Sequence, residues 1–294
     1  MAELKNVAGT AFIVAEYRAE ENSAPDPLYR DSIVELFLNE ATKQAAANAT
    51  VASPSAKEGV KLRTRYLDDE LDERIARGCR QVVILGSGLD TRAVRKKAAG
   101  VAYFELDDQA TLDLKKARYS EHGIQAALTL IAANYVTDDW IALLAENGFD
   151  FDLPTHILWE GNTMYLTYDD MKRVMVTIRE QIRSASLSFD YLSTKVIDKR
   201  TGDAGLSALV EHFARLGAPW ITGIDDVYAL GEELDLDVIQ NVLSADLHRW
   251  HWPTRPMSSS FLRFYSLCTL ATKLESARST QSRSPRAIST GWIS

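Results

Sequence analysis

The chain has 294 residues, of which 46% are hydrophobic, enough for one large globular domain with an appended region. A formal net charge of −8 argues against binding nucleic acid through its phosphates, and two distant cysteines without a CxxC pattern argue against a metal site or a redox pair. No apolar stretch is long enough to span a membrane and the first residues lack a signal-peptide pattern, so we expect a cytoplasmic protein with no membrane partner.

The first 77 residues are predicted to form an N-terminal helical cap or lid. Residues up to Tyr17 look helical, and residues 22–27 break the chain with two prolines. A second, amphipathic helix is expected from about Leu28, with these apolar residues on one stripe: Leu28, Ile33, Leu36 and Phe37. Residues 45–56 are small, polar and interrupted by proline, which is typical of a mobile loop, either covering a ligand or serving as a surface linker. A helix through Leu67, Leu71 and Ile75 then ends at Gly78.

Residues 81–92, which read QVVILGSGLDTR, join a buried strand to a glycine-containing turn. Residues 82–85 do not alternate with polar residues, as expected for a strand covered by helices on both faces. Gly86 and Gly88 allow a tight turn and close approach of a ligand. A dinucleotide fingerprint requires a third glycine, and Thr91 stands in its place, which disfavours NAD. The next strand-like run ends in acidic residues, among them Asp107, which suit the ribose hydroxyls of a nucleoside without a pyrophosphate.

Strand-like and helical segments alternate through the middle of the chain. The strand-like runs are residues 82–85, 101–106, 128–132, 156–159 and 187–192, and the helical segments between them are residues 109–122, 138–147 and 168–183. This alternation predicts a parallel sheet with helices on both faces. Residues 206–216 are predicted to be a further helix, and residues 246–252 and 261–270 a closing antiparallel hairpin.

Several motifs in this order resemble those of the leucine carboxyl methyltransferase family of class I S-adenosylmethionine-dependent methyltransferases, especially its bacterial and natural-product branch. The resemblance covers residues 7–273 and rests on residues 10–20, 26–31, 63–68, 81–92, 104–107, 140, 148–150 and 154–166. It implies a Rossmann-like doubly wound α/β sheet, mostly parallel with a C-terminal antiparallel hairpin, behind the N-terminal helical cap. The methyltransferase domain would be residues 78–274, with a substrate-side insertion around residues 195–245 and a disordered tail at residues 275–294.

The resemblance also implies a cofactor, S-adenosyl-L-methionine, and residues that would bind it. Arg63 would pair with the carboxylate of its methionine part, Gly86 and Gly88 would lie against it, and Asp107 would hold the ribose. Glu160 would accept a hydrogen bond from the methionine ammonium group. Asn134 and Tyr135 stand where the family has Asp-Leu beside adenine, so a charge is lost there, while Arg92 is expected to be structural.

The acceptor is less well defined by sequence. Family resemblance favours the carboxylate of a small, polyketide-like acid, which needs no general base; a phenol or alcohol would benefit from one. The alternatives are a hydroxyl acceptor, a protein C-terminal carboxyl, a nucleotide-dependent oxidoreductase and a non-catalytic cofactor-binding protein. The catalytic candidates are Asn162, Tyr165 and Tyr191, and further candidate pocket residues are Trp220, His248, His251 and Arg255.

Overall fold

A computed structural model describes residues 7–52, 54–215 and 217–281. Within them, seven strands form one sheet in the order β3-β2-β1-β4-β5-β7-β6, in which β7 is antiparallel to both of its neighbours. The strands are β1 (Gln81–Leu85), β2 (Ala102–Asp107), β3 (Leu128–Ala132), β4 (Thr155–Trp159), β5 (Ala185–Leu192), β6 (Asp237–Leu243) and β7 (Tyr265–Ala271). The first five strands are parallel and match the sequence-based predictions to within two residues at each end.

The helices before β4 are α1 (Val7–Ala19), α2 (Glu40–Ala52), α3 (Pro54–Ala76), α4 (Arg92–Arg95), α5 (Gln109–Glu121) and α6 (Trp140–Glu146). Those after it are α7 (Tyr168–Gln181), α8 (Thr194–Ile197), α9 (Ala204–Arg215), α10 (Val227–Glu233), α11 (Ser244–His251) and α12 (Lys273–Gln281). None of the helices in the described ranges is both long and apolar enough to cross a membrane.

The central strand β1 shows why the sheet is covered on both faces. Val82 and Ile84 point into one apolar cluster with Leu62 and Leu67 of α3. Val83 and Leu85 point into a second cluster on the opposite face, which includes Trp159 and the buried side of α7. Successive strand residues therefore bury opposite sides of the sheet, which explains the unbroken apolar run in the sequence.

The N-terminal cap differs from its prediction in two places. Residues 28–33 are not helical, and the regular element that follows them is a short 3-10 helix, Val34–Phe37. The prediction of a helix here was wrong. Asp31 accepts hydrogen bonds from Arg18 and Thr91, and these bonds hold the stretch in a non-helical connection. Of the mobile loop predicted at residues 45–56, residues 45–52 are instead the end of α2 and residues 54–56 the start of α3, since the alanines here are strong helix formers.

The C-terminal hairpin is present but begins earlier than predicted. The strand antiparallel to β7 is β6, whereas residues 246–252, predicted as a strand, lie mostly in α11. Its buried residues Ser244, Ala245, Leu247 and His248 follow helical rather than alternating spacing. Residues 275–281, predicted as disordered tail, form most of α12, where Ser184 donates a hydrogen bond of 2.6 Å to the buried Glu275; residues 282–294 lie outside the described residues.

Candidate active site

A cleft of about 780 Å³ opens at the carboxyl ends of β1, β2 and β4, where a doubly wound sheet places its ligands. One side, which we name the strand-end wall, consists of strand termini and the turns that follow them: Gly86, Gly88, Asp107, Asn134, Tyr135, Asp138, Glu160, Gly161 and Asn162. The other side, the helical wall, comes from α1, α9 and the chain near β7: Ile13, Val14, Tyr17, Leu209, His212, Phe213, Trp220, Phe261 and Tyr265.

The turn after β1 depends on both of its glycines. Gly86 and Gly88 have φ of +60° and +48°, values that residues with a side chain rarely adopt. A Cβ atom on Gly86 would also lie 2.6 Å from Oδ1 of Asn162, closer than real Cβ contacts. Glycine is therefore required here both for the turn and for the close approach of the chain after β4.

Asp107 is placed beside this turn by the end of β2. The Gly88 N–H donates a hydrogen bond of 2.6 Å to Oδ2 of Asp107, and the Asp108 N–H donates one of 2.7 Å to Oδ1. Burial raises the pKa of Asp107, although these two N–H groups oppose the shift. Each carboxylate oxygen keeps further accepting capacity, so the residue can also receive hydrogen bonds from a ligand in the cleft.

Arg63 of α3 reaches the cleft as part of a buried charged group. Its Nε donates to Glu160 at 2.9 Å, and its Nη1 donates to the Tyr265 hydroxyl at 2.9 Å and to Asp190 at 3.3 Å. Tyr265 in turn donates to Asp190 at 2.6 Å. The Nη2 group has no acceptor among the described residues, so one edge of the guanidinium can bind an incoming carboxylate.

Glu160 lies between two arginines. Arg63 contacts its Oε1, and Nη1 of Arg92 donates to its Oε2 at 2.7 Å. Burial by itself would raise the pKa of Glu160, but the charges of Arg92 and Arg63 outweigh burial and lower it. Glu160 is therefore anionic at neutral pH, as a partner for a cationic ligand group must be.

Arg92 is 1% exposed and holds the strand-end wall to α3. Besides Glu160, it donates to Asp68 of α3 at 2.7 Å and contacts Asp90 of the turn. It does not itself line the cleft. This placement fits a structural residue that also orients Glu160, a link that the sequence did not predict.

The turn after β3 holds Asn134 and Tyr135. Asn134 uses its Oδ1 to accept from the Val136 N–H at 3.0 Å, and its own N–H donates to Asp138 at 2.8 Å. Asp138 also lines the cleft, so the carboxylate missing at position 134 is present four residues later in the same turn. Tyr135 packs edge-on against Trp159, with ring centroids 5.9 Å apart.

The acceptor-side candidates divide into two groups. Asn162, Tyr165 and Trp220 line the cleft. The Asn162 amide braces the strand ends, because it donates to the Glu160 carbonyl at 2.8 Å and accepts from the Tyr135 hydroxyl at 3.2 Å. Tyr165 is half-buried, and burial raises its pKa, so it remains protonated at neutral pH.

Four other candidates do not line the cleft: Tyr191, His248, His251 and Arg255. The Tyr191 hydroxyl donates to Asn241 at 3.0 Å, and Arg255 pairs with Glu58 at 2.7 Å. His248 is buried against Trp252, and burial lowers its pKa. The two histidines were misplaced because residues 246–252, predicted as a strand, lie mostly in α11.

Four residues in or beside the cleft were not predicted from the sequence: Asp138, Asp190, His212 and Tyr265. Asp190 and Tyr265 lie 127 and 202 residues from Arg63, and no local pattern reports such pairing. His212 lies on the helix predicted for residues 206–216, to which no functional residue was assigned. No group of three or more His, Cys, Asp or Glu side chains suited to a metal ion occurs within the described ranges.

The strand order with its antiparallel β7, and a cleft at the strand ends, define a class I methyltransferase fold. A DUF574 family protein of Streptomyces avermitilis has the same fold, with a TM-score of 0.62 at 12% identity over 88% of this chain and 96% of its own. A crystal structure titled "putative methyltransferase" from Thermobifida fusca gives 0.59 at 18% identity over 88% and 94%.

The model of the family "Leucine carboxyl methyltransferase" matches residues 11–179. The chain belongs to the leucine carboxyl methyltransferase family. Two relatives bear the name "Putative S-adenosyl-L-methionine-dependent methyltransferase". The one from Streptomyces coelicolor is 32% identical over 61% of this chain and 67% of its own length, and the one from Mycobacterium avium is 29% identical over 83% and 90%.

Proposed function

We propose that the protein is an S-adenosyl-L-methionine-dependent O-methyltransferase that acts on a small, natural-product-like molecule. Family membership supports methyl transfer, and the names of the relatives support the cofactor. The observation that carries the proposal for this chain is the convergence of Asp107, Glu160 and the open edge of Arg63 around the Gly86 turn. These groups match the ribose hydroxyls, the ammonium and the carboxylate of the cofactor, in that order.

The charge of the cleft suits this ligand. Five carboxylates line it, Asp90, Asp107, Asp108, Asp138 and Glu160, against the two arginines Arg18 and Arg63. S-adenosyl-L-methionine supplies a methyl group bound to a sulfonium, which carries a positive charge. A cleft with an excess of negative charge stabilises that cation without a metal ion being needed for the transfer.

The chain's own contribution to catalysis is mainly alignment and exclusion of water. Positioning two reactants in line is worth roughly 7 to 11 kcal/mol in favourable systems. Here the strand-end wall holds one reactant with charged side chains. The apolar helical wall, with Ile13, Val14 and Leu209, covers the reacting centre from the other side.

Two acceptor groups are compatible with O-methylation. A carboxylate of a small acid follows from the family's name, and it is already ionised at neutral pH. A phenol or alcohol is the second candidate, which the side chains of the helical wall favour. We propose a small-molecule partner in either case, because an overall charge of −8 and an acidic cleft do not favour nucleic acid.

Transfer of isotopically labelled methyl groups tests the proposal. The protein is incubated with methyl-labelled cofactor and a metabolite extract, and labelled products are identified by mass spectrometry before and after mild base. We expect label on oxygen: a methyl ester is hydrolysed by base, whereas an aryl ether survives it. Label on nitrogen or carbon would overturn O-methylation, and transfer to no acceptor would favour a non-catalytic binding protein.

A further inference from the structure

The helical wall contains a continuous row of aromatic rings. Phe213 and Trp220 are stacked, with centroids 4.5 Å apart and planes at 24°. Trp220 continues to Phe261 at 6.2 Å, and Phe261 to Tyr265 at 5.2 Å, both at tilts of 30°. All four residues line the cleft, so this row contributes aromatic surface opposite the strand-end wall.

None of the nine residues named for the helical wall is a lysine or an arginine. The lysine and arginine side chains lining the cleft, among the described residues, are Arg18 and Arg63. Arg18 is paired with Asp31 at 2.5 Å, and the open edge of Arg63 is assigned to the cofactor. A carboxylate on the aromatic row would add negative charge to a cleft already lined by five carboxylates, which disfavours it relative to an uncharged hydroxyl.

His212 of α9 also belongs to this wall, and it is the one histidine among the described residues that line the cleft. Its ring lies edge-on to Phe213, with centroids 6.1 Å apart, and it has no hydrogen-bond partner among the described residues. Tyr165 and Tyr265 have raised pKa values, so each keeps its proton. Histidine is the type of side chain that most often serves as a general base near neutral pH.

Other titratable groups surround the proposed acceptor position. From the facing elements they are Tyr17 and Arg18 of α1, Arg63 of α3, Tyr165 and Tyr265; on or beside α9 they are Lys199, Glu211 and Arg215. Lys199 and Glu211 pair with each other at 2.6 Å on the exposed side. The charges of Lys199 and Glu211, beside His212, therefore neutralise each other.

Resting on the proposed methyl transfer, we infer that the acceptor is an uncharged aromatic molecule with a hydroxyl group, which stacks on the aromatic row, and that His212 takes the hydroxyl proton. The acceptor oxygen forms the new O–C bond while the S–C bond of the donor breaks and leaves its electron pair on sulfur. The O–H bond breaks, and its proton passes to an imidazole nitrogen of His212. No oxidant or further reactant is needed.

Matched acceptors test this assignment. Pairs of naphthalenes and anthraquinones that differ only in carrying a hydroxyl or a carboxyl group are incubated with labelled cofactor and either wild type or His212→Gln. We expect base-stable ethers from the hydroxyl members. At pH 7 His212→Gln should lower kcat about 100-fold with little change in KM, within the range for loss of a general base. The deficit should shrink as pH rises, because the acceptor then ionises unaided.

His122→Gln is the matched control, since His122 is exposed at the end of α5 and should leave the rate unchanged. Methyl esters from the carboxyl members alone, transfer to no ring hydroxyl, or a His212→Gln deficit that is the same at every pH would each overturn the inference. If S-adenosylhomocysteine still binds in those cases, the cofactor assignment stands; if it does not, the proposed function itself fails.

Discussion

The two walls of the cleft are built from different interactions. The strand-end wall is held by backbone turns and buried ion pairs, among them Arg63 with Glu160 and Arg92 with Asp68. The helical wall is held by ring packing among α9, the segment after it and the chain at the start of β7, with Phe213 on Trp220 as its tightest contact. We therefore propose that charge positions one ligand, while shape and apolar surface select the other.

The largest effect should come from Arg92→Ala, on stability. The substitution leaves Asp68, Asp90 and Glu160 without a shared partner in a buried site, which costs about 3 to 5 kcal/mol of unfolding free energy. Urea unfolding of the variant and of wild type measures this loss of unfolding free energy. Arg183→Ala removes an ion pair whose side chains are 70% and 78% exposed, and it should change stability by less than about 1 kcal/mol. A loss as small for Arg92→Ala would mean that this wall is not held by charge.

The next largest effect should be on cofactor binding rather than on stability. Arg63→Ala and Glu160→Ala should each weaken cofactor binding by about 1.5 to 3 kcal/mol, roughly 10- to 150-fold, because charge-assisted hydrogen bonds are lost. Arg92→Ala, studied where it remains folded, should weaken binding less, since Arg92 acts only through Glu160. Calorimetry with S-adenosylhomocysteine decides this, with the surface variant Arg173→Ala as control. Equal affinities in all four proteins would contradict the assignment of the methionine end.

Lowering the pH should reduce the free energy of unfolding through the carboxylates that hold the strand-end wall. Burial would raise the pKa of Asp68, but Arg92 and Arg95 lower it below the reference value of 3.8, and Glu160 is likewise held below 4.5. The native state then binds fewer protons than the unfolded chain, so unfolding free energy should fall as pH drops below about 4.5 through the lowered values. Buried Glu105 and Asp190 have raised pKa values and oppose this trend. Thermal unfolding of Asp68→Asn should therefore show a shallower acid dependence than wild type, and an unchanged slope would contradict this account.

The smallest effect should come from the helical wall. Phe213→Leu removes the stacked partner of Trp220, a contact worth about 0.5 to 1.5 kcal/mol beyond the area that it buries. We expect a 2- to 12-fold rise in acceptor KM and an unchanged cofactor affinity. Tyr228→Leu, at a ring 61% exposed outside the cleft, should change neither. A loss of cofactor affinity in Phe213→Leu would show that the two walls are not separate binding surfaces.

The two walls also differ in how far sequence could predict them. The strand-end wall follows local rules: an apolar run, two glycines with positive φ and an acidic strand end lie within about one βα unit. The helical wall joins α1, α9 and β7, whose residues approach each other only after folding. Tyr265 of this wall illustrates the point, since nothing local to it indicates that it shares Arg63 with Asp190.

Two segments were assigned the wrong secondary structure because their residue patterns do not distinguish the alternatives. Residues 246–252 mix leucine, tryptophan and histidine, which fits an alternating pattern, but helical spacing buries Leu247 and His248 on one side. Residues 45–56 contain many alanines, which are too small to form a marked apolar stripe although they favour a helix. The tertiary contacts of α2 with α1 and α3 resolve what the sequence left open.

Binding of S-adenosylhomocysteine to wild type and Asp107→Asn, compared with NAD, tests the central claim most directly. Asp113→Asn, on the exposed side of α5, is the matched control. We expect saturable binding of S-adenosylhomocysteine to wild type and Asp113→Asn, about 10-fold weaker binding to Asp107→Asn because a charged acceptor for the ribose is lost, and no binding of NAD. Binding of NAD without S-adenosylhomocysteine, or an Asp107→Asn variant with wild-type affinity, would contradict the assignment of the strand-end wall as the cofactor site.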